Sequence, residues 1–168
     1  STRMADELPM APASPALELE ARAREVLVGA GLDELITHSL VDMDLVAAVA
    51  PSEADAALHL KLSNPNTPEK SYLRRSLLPS LGAALATNLR ERERVTIFEI
   101  GRVYLRAEGK WLPDEPRRLA IAMAGPREAE GWTAPRSELL DFYDLKGVVE
   151  ILVERLGLAG RVSFAPLT

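Results

Sequence analysis

Apolar residues recur along the chain with two periods, and the period sorts the segments into helices and strands. Leu19, Ala23, Val26, Leu27 and Ala30 fall on one face of a helix. Ser14-Pro15 suits its start and Gly31 its end. Glu18 with Arg22, and Glu20 with Arg24, are spaced as ion pairs on its wet side. Leu77, Leu78, Leu81, Leu85 and Leu89 mark a second helix. Ser76 can cap it, and Pro79 is tolerated in the first turn. Leu145, Val148, Val149, Leu152 and Leu156 mark a third, capped by Asp141, supported by Asp144 and ended by Gly157. Met43 to Ala50 reads as a short helix stopped by Pro51.

Period-two alternation predicts the strands. Ile36, His38 and Leu40 alternate with Leu35, Thr37, Ser39 and Val41, which predicts one strand over Asp33 to Val41. Ala57 to Ser63 alternates through Leu58, Leu60 and Leu62. Tyr72 to Arg75 and Arg161 to Ala165 read as short strands. Val95 to Leu105 is apolar on both faces apart from Glu99 and Arg102, the pattern of a central strand. Arg118 to Gly125 sets Leu119, Ile121 and Met123 against alanines. The segments 110–116 and 126–139 read as loops, the second with an isolated Trp132. Ser1 to Ala13 reads as an entry linker, and residues 14–168 as one domain. Strands and helices that do not strictly alternate predict an α+β fold around a mostly antiparallel sheet.

Composition excludes several classes. With 168 residues, 47% apolar and 27% charged, the chain suits one globular domain. A net charge of −5 argues against a broad electrostatic grip on nucleic acid. There is no cysteine, hence no disulfide and no thiolate metal site. No apolar run nears the roughly 18 residues of a membrane span, and no signal-peptide pattern is present. The expectation is a cytoplasmic protein without a membrane partner.

Candidate chemistry is sparse. His38 and His59 fall in predicted strands, where packing is a commoner role than catalysis. No pair of histidines has zinc spacing. "GAGLDE" from Gly29 resembles a dinucleotide loop, but it closes a helix instead of opening one. The pairs Asp42/Asp44 and Asp141/Asp144 suit helix caps better than a metal, so no metal site is expected. "RERER", Arg90 to Arg94, reads as a solvated, self-paired helix end. Arg74, Arg75 and Arg102 carry forks that suit phosphate or carboxylate, yet Glu99 could satisfy an arginine within the fold. Structural pairing is the favoured reading of these residues.

Four pieces together have a specific likeness. "LSNPNTPEKSYLRRSLLPSLGAALATNLR", "VTIFEIGRVY", "ELITHSLV" and "DFYDLKGVVEILVERLGL" resemble the phenylalanyl-tRNA synthetase β-chain family in order and spacing. The motif positions are Asn64, Pro65, Leu73, Arg74, Ser76 and Pro79; Phe98, Glu99, Gly101 and Arg102; and Lys146 and Gly147. The resemblance implies the antiparallel sheet of class II aminoacyl-tRNA synthetases, flanked by helices. It implies a catalytic-like β module without activity, supporting an α chain that activates phenylalanine and transfers it to tRNA. The implied assembly is (αβ)₂, with ATP and magnesium used by the whole complex, no cofactor on this domain and tRNA bound by the whole.

The resemblance also places an ATP-binding arginine after "GRVY", where this chain has Leu105 followed by Arg106 and Ala107. A bulge in the strand would bring Arg106 there instead. The third class II signature is expected beyond the final helix and beyond Thr168. In the family, helices beside the first signature form the subunit interface, which makes Leu77, Leu78, Leu81, Leu85 and Leu89 interface candidates. The expected function is structural support of a phenylalanine–tRNA ligase, with no catalytic residue in this domain. The alternative is an amino-acid-binding module on a degenerate synthetase fold.

Overall fold

The computed structural model describes residues 14–65, 67–107, 109, 111–128 and 138–165. The proposed linker Ser1 to Ala13 and Trp132 lie outside them. In chain order the elements are α1 (Pro15–Gly29), β1 (Asp33–Glu34), β2 (Leu40–Val41), α2 (Met43–Val49), β3 (Leu60–Lys61), β4 (Tyr72–Leu73), α3 (Leu78–Asn88), β5 (Val95–Arg102), β6 (Arg117–Ala124) and α4 (Phe142–Arg155).

The strands form two sheets of order β1-β5-β6 and β2-β4-β3. All pairings are antiparallel except β1 with β5. Strand β5 is central in its sheet, as its two apolar faces require. Phe98 and Ile100 point to one side, against Leu27 of α1 and Val148 and Leu152 of α4. Val95, Ile97 and Val103 point to the other, against Leu77, Leu81 and Leu85 at α3. Ile121 and Met123 of β6 join the first cluster, and Ala120 and Ala122 the second. The sheet is thus sandwiched between two helical layers.

Helix ends follow local chemistry. Gly31 has φ 86°, and Leu32 N–H returns to Leu27 C=O at 3.1 Å, closing α1. Asp42 accepts from Asp44 N–H at 3.0 Å to cap α2. Asp141 and Asp144 form a reciprocal capping box on α4. Ser14 is an exception. It occupies the N-cap of α1 without a side-chain hydrogen bond, so Pro15 alone marks that start.

Several strand expectations require correction. Asp33 to Val41 is not one strand: β1 and β2 join different sheets, and Thr37 between them is taken by Glu99. Ala57 to Ser63 begins as a 3₁₀ turn over Ala56–Leu58, because Asp55 accepts from Ala57 N–H, and only Leu60–Lys61 pairs. Arg161 to Ala165 forms no strand. Its start completes a 3₁₀ turn, Ala159–Arg161, and the rest finds no ladder partner among the described residues. The long strand stops at Arg102, beyond which Leu105 makes an isolated bridge to Asp114. The second strand of that ladder starts at Arg117, one residue early.

Candidate functional site

The motif residues meet at the crossing of β4, β5 and the 35–39 segment. Arg74 follows β4 and is 4% exposed. Its Nη1 donates to Glu99 Oε1 at 2.7 Å and to Thr37 Oγ1 at 2.9 Å. Its Nε donates to the Arg102 carbonyl oxygen at 2.9 Å. Glu99 is 1% exposed and also accepts from Thr37 Oγ1 at 2.6 Å and Thr37 N–H at 3.3 Å. The backbone of Arg74 is held as well, by Ser39 C=O and Tyr104 N–H. A buried charge is tolerable only when paired and hydrogen-bonded in this way.

Gly101 makes room for the pair. A Cβ at that position would lie 2.4 Å from Arg74 Nη2 and 3.1 Å from Glu99 Oε1. Arg74, Glu99, Gly101 and Arg102 are therefore one knot, with Arg102 contributing its carbonyl oxygen. The guanidinium of Arg102 points elsewhere, to Glu115 at 2.9 Å. Arg75 donates to Leu58 C=O at 2.7 Å. Of the three, only Arg74 buries its fork; those of Arg75 and Arg102 bond to other residues of the chain at the surface.

The other motif residues lie apart from this knot. Leu73 pairs in β4 with Leu40 and Leu60, Phe98 is in the first core cluster, and Pro79 is buried in the first turn of α3. Ser76 Oγ accepts from Leu78 N–H at 3.2 Å. Asn64 is exposed, with Pro65 half-buried beside it, and its Oδ1 accepts from Ser63 Oγ. Lys146 pairs with Glu150 at 2.7 Å and lies over the Phe164 ring. A Cβ on Gly147, in α4, would meet nothing within 4 Å.

Of the interface candidates, Leu77 and Leu81 are 2% and 0% exposed and belong to the core, with Leu85 packed beside them. Leu77 and Leu81 are thus held in the core, and Leu85 is partly buried beside them. Leu78 and Leu89 turn outward, at 50% and 38% exposure.

The histidines part company. His59 is buried, with ring nitrogens 3.2 Å from Leu73 C=O and 2.9 Å from Glu53 C=O, a packed residue as expected. His38 is exposed and lies between β1 and β2, not in a strand. Arg92, from the charged run, reaches Asp33 at 3.5 Å instead of pairing only within the run. Among the described residues no group of acids and histidines could hold a metal ion, and no helix is long and apolar enough to cross a membrane.

At position 105 the ladder keeps one register, from Val95 opposite Ala124 to Leu105 opposite Asp114, so no bulge intervenes. Leu105 shares the α3-facing side with Ile97 and Val103 and packs on their cluster. Arg106 lies on the opposite side, exposed, with Nη2 3.5 Å from His59 C=O. Leu105 thus puts an apolar side chain at the position where the resemblance implies an ATP-binding arginine.

The sequence missed one cluster outright. Arg127 donates to Asp144 at 2.9 Å and to Glu138 at 2.7 Å, tying residues 127 and 138 to the start of α4. The Arg127 guanidinium, with help from Asp141 N–H, holds the Asp144 carboxyl below its usual range. Only the spacing of Asp144 from its cap was legible; its ion pair spans a loop.

Comparison with known proteins agrees with this geometry. The family model described as the phenylalanyl tRNA synthetase beta chain CLM domain matches residues 1–168. The phenylalanine–tRNA ligase beta subunit of Geobacter sulfurreducens is 39% identical over 144 residues, covering 84% of this chain. That of Symbiobacterium thermophilum is 41% identical over 143 residues, also covering 84%. The chain spans only 18% and 16% of those relatives' lengths. Among solved structures, a pyrrolysyl tRNA synthetase of Desulfitobacterium hafniense superimposes with a TM-score of 0.64 at 20% identity, over 86% of this chain and 47% of that one. A likeness at that identity speaks for fold alone, and the fold is that of a class II synthetase-like domain. The chain belongs to the phenylalanyl tRNA synthetase beta chain CLM domain family.

Proposed function

We propose that this chain is the catalytic-like module of a phenylalanine–tRNA ligase β chain, and that it supports the catalytic α chain without forming aminoacyl-adenylate itself. The observation that carries the reading is position 105. An adenylate-forming site needs donors aimed at charge that develops on the phosphate. Leucine offers none, and here its side chain packs on the core cluster under α3. Family membership supports the rest of the reading. ATP, magnesium and phenylalanine act at the α chain, tRNA binds the whole (αβ)₂ complex, and the assembly works in the cytoplasm.

Exchange of pyrophosphate into ATP, dependent on phenylalanine, tests the reading. The isolated chain should exchange no faster than a blank protein, and an α chain with its β partner should exchange readily. Phenylalanine-dependent exchange by the isolated chain overturns the proposal.

A further inference from the structure

Three cations converge where the chain enters β3. Arg75 donates to Leu58 C=O at 2.7 Å, and Arg106 Nη2 lies 3.5 Å from His59 C=O. Lys61 pairs with Tyr72 across the ladder, and its ammonium stands 5.3 Å from the centre of the Tyr72 ring. Arg75 comes from beyond β4, Arg106 from beyond β5 and Lys61 from β3 itself, so three segments of the chain build one corner. Residues 58–61 span at most about 10 Å, close to one Debye length at physiological salt. The three charges therefore act on the same stretch of solvent.

Each cation is held in place, and none is neutralised. A guanidinium that gives one N–H to a backbone carbonyl keeps the rest of its fork free. A ring face positions an ammonium without cancelling its charge. Elsewhere Arg24, Arg74, Arg102, Arg117 and Arg127 each reach a carboxylate. Among the described residues Lys61, Arg75 and Arg106 reach none. The acids of the adjoining turns do not serve them. Asp55 accepts from Ala57 N–H, and Glu53 Oε2 is buried without a hydrogen-bond partner. In a chain with 25 acidic residues against 20 lysines and arginines, composition does not force such a trio.

We infer that the corner of Lys61, Arg75 and Arg106 binds the phosphate backbone of the tRNA that the ligase charges, which builds on the function proposed above. Arginine forks suit phosphate oxygens, and an ammonium adds a point charge beside them. Phosphates repeat along a backbone, so one strand can engage all three cations at once. Such contacts position a nucleic acid without reading its bases. The net charge of −5 limits the grip to this corner instead of spreading it over the surface.

The test uses a full-length β chain carrying this sequence, assembled with its α chain, and a tRNA that accepts phenylalanine. Lys61→Gln, Arg75→Gln and Arg106→Gln together should weaken tRNA binding at least tenfold. The same variant should make the slope of log affinity against log salt shallower by about 2–3, at roughly 0.7–0.9 per lost phosphate contact. Lys61→Arg, Arg75→Lys and Arg106→Lys together should keep the affinity within about threefold, because they keep the charge. Unaltered affinity and slope in the glutamine variant overturn the inference. Equal losses in both variants do so too, because shape and not charge would then matter. So does a glutamine variant that no longer assembles with the α chain, since the corner would then face the other subunit. Phenylalanine-dependent pyrophosphate exchange should stay at the wild-type rate in both variants. A wild-type complex that exchanges normally, beside a glutamine variant that binds tRNA unaltered, would sink this contact and leave the proposed function standing.

Discussion

Glu99 and Arg74 are joined at 2.7 Å with side chains 2% and 5% exposed, so water screens their interaction little. Removing one partner of such a pair leaves the other charge buried, whereas apolar replacement of both is often tolerated. Glu99→Ala should therefore lower stability by about 3–5 kcal/mol. Arg74→Met combined with Glu99→Leu should lose clearly less, as read from urea midpoints. A double variant as unstable as Glu99→Ala would mean that the pair itself contributes net stability. The sequence offered the residue types and the suggestion that Glu99 could satisfy an arginine. It could not offer Thr37, which supplies a hydroxyl and an amide from 62 residues away. Nor could it say why Gly101 is glycine, since that depends on where the Arg74 guanidinium passes.

Helices were more legible than strands, for a physical reason. A helix closes its hydrogen bonds locally, so the apolar stripe and the caps suffice to place it. A strand needs a partner, and alternation cannot name one. Residues 33–41 alternate well but split between two sheets, and residues 161–165 alternate without pairing. The capping box of α4 shows how far the local signal reaches. Asp141 and Asp144 were predictable, but Arg127 was not. Because the folded state holds the Asp144 carboxyl low, that contribution is present above the ordinary aspartate value of about 3.9 and is lost as pH falls through the folded value. Carboxyl NMR should show Asp144 titrating below an ordinary aspartate, and moving back toward it in Arg127→Gln. An unmoved titration would assign the effect to Asp141 alone. Gly147 adds a second test on the same helix. Its missing Cβ leaves open space, so Gly147→Ala should stabilise the chain by about 0.5–1 kcal/mol through helix propensity. A destabilised variant would reveal a crowded position.

Among the described residues, the apolar features left after the core is closed include the cleft at β6 and the outer side of α3. The sequence places five leucines at this helix, and the structure divides them. Leu77, Leu81 and Leu85 face the sheet, and Leu78 and Leu89 face out. The division follows from helix geometry, since adjacent residues point about 100° apart. Outward leucines at the two ends of α3 suit a partner better than water. Leu78 also borders the cleft at β6, so a change there would disturb two surfaces at once. Leu89 lies about 16 Å away along the helix axis and isolates the second surface. Leu89→Glu should leave the unfolding midpoint within about 0.5 kcal/mol of wild type, because its neighbours in the core are untouched. If α3 is where the α chain binds, the same variant should weaken that binding at least tenfold, which is about 1.4 kcal/mol in a titration. Leu81→Glu serves as the contrast, because it should unfold the domain before any interface can be measured. Unaltered affinity of a folded Leu89→Glu variant would move the interface off the C-terminal end of α3. The exposed Leu139, Phe142 and Tyr143 at the start of α4 would then be the next surface to change.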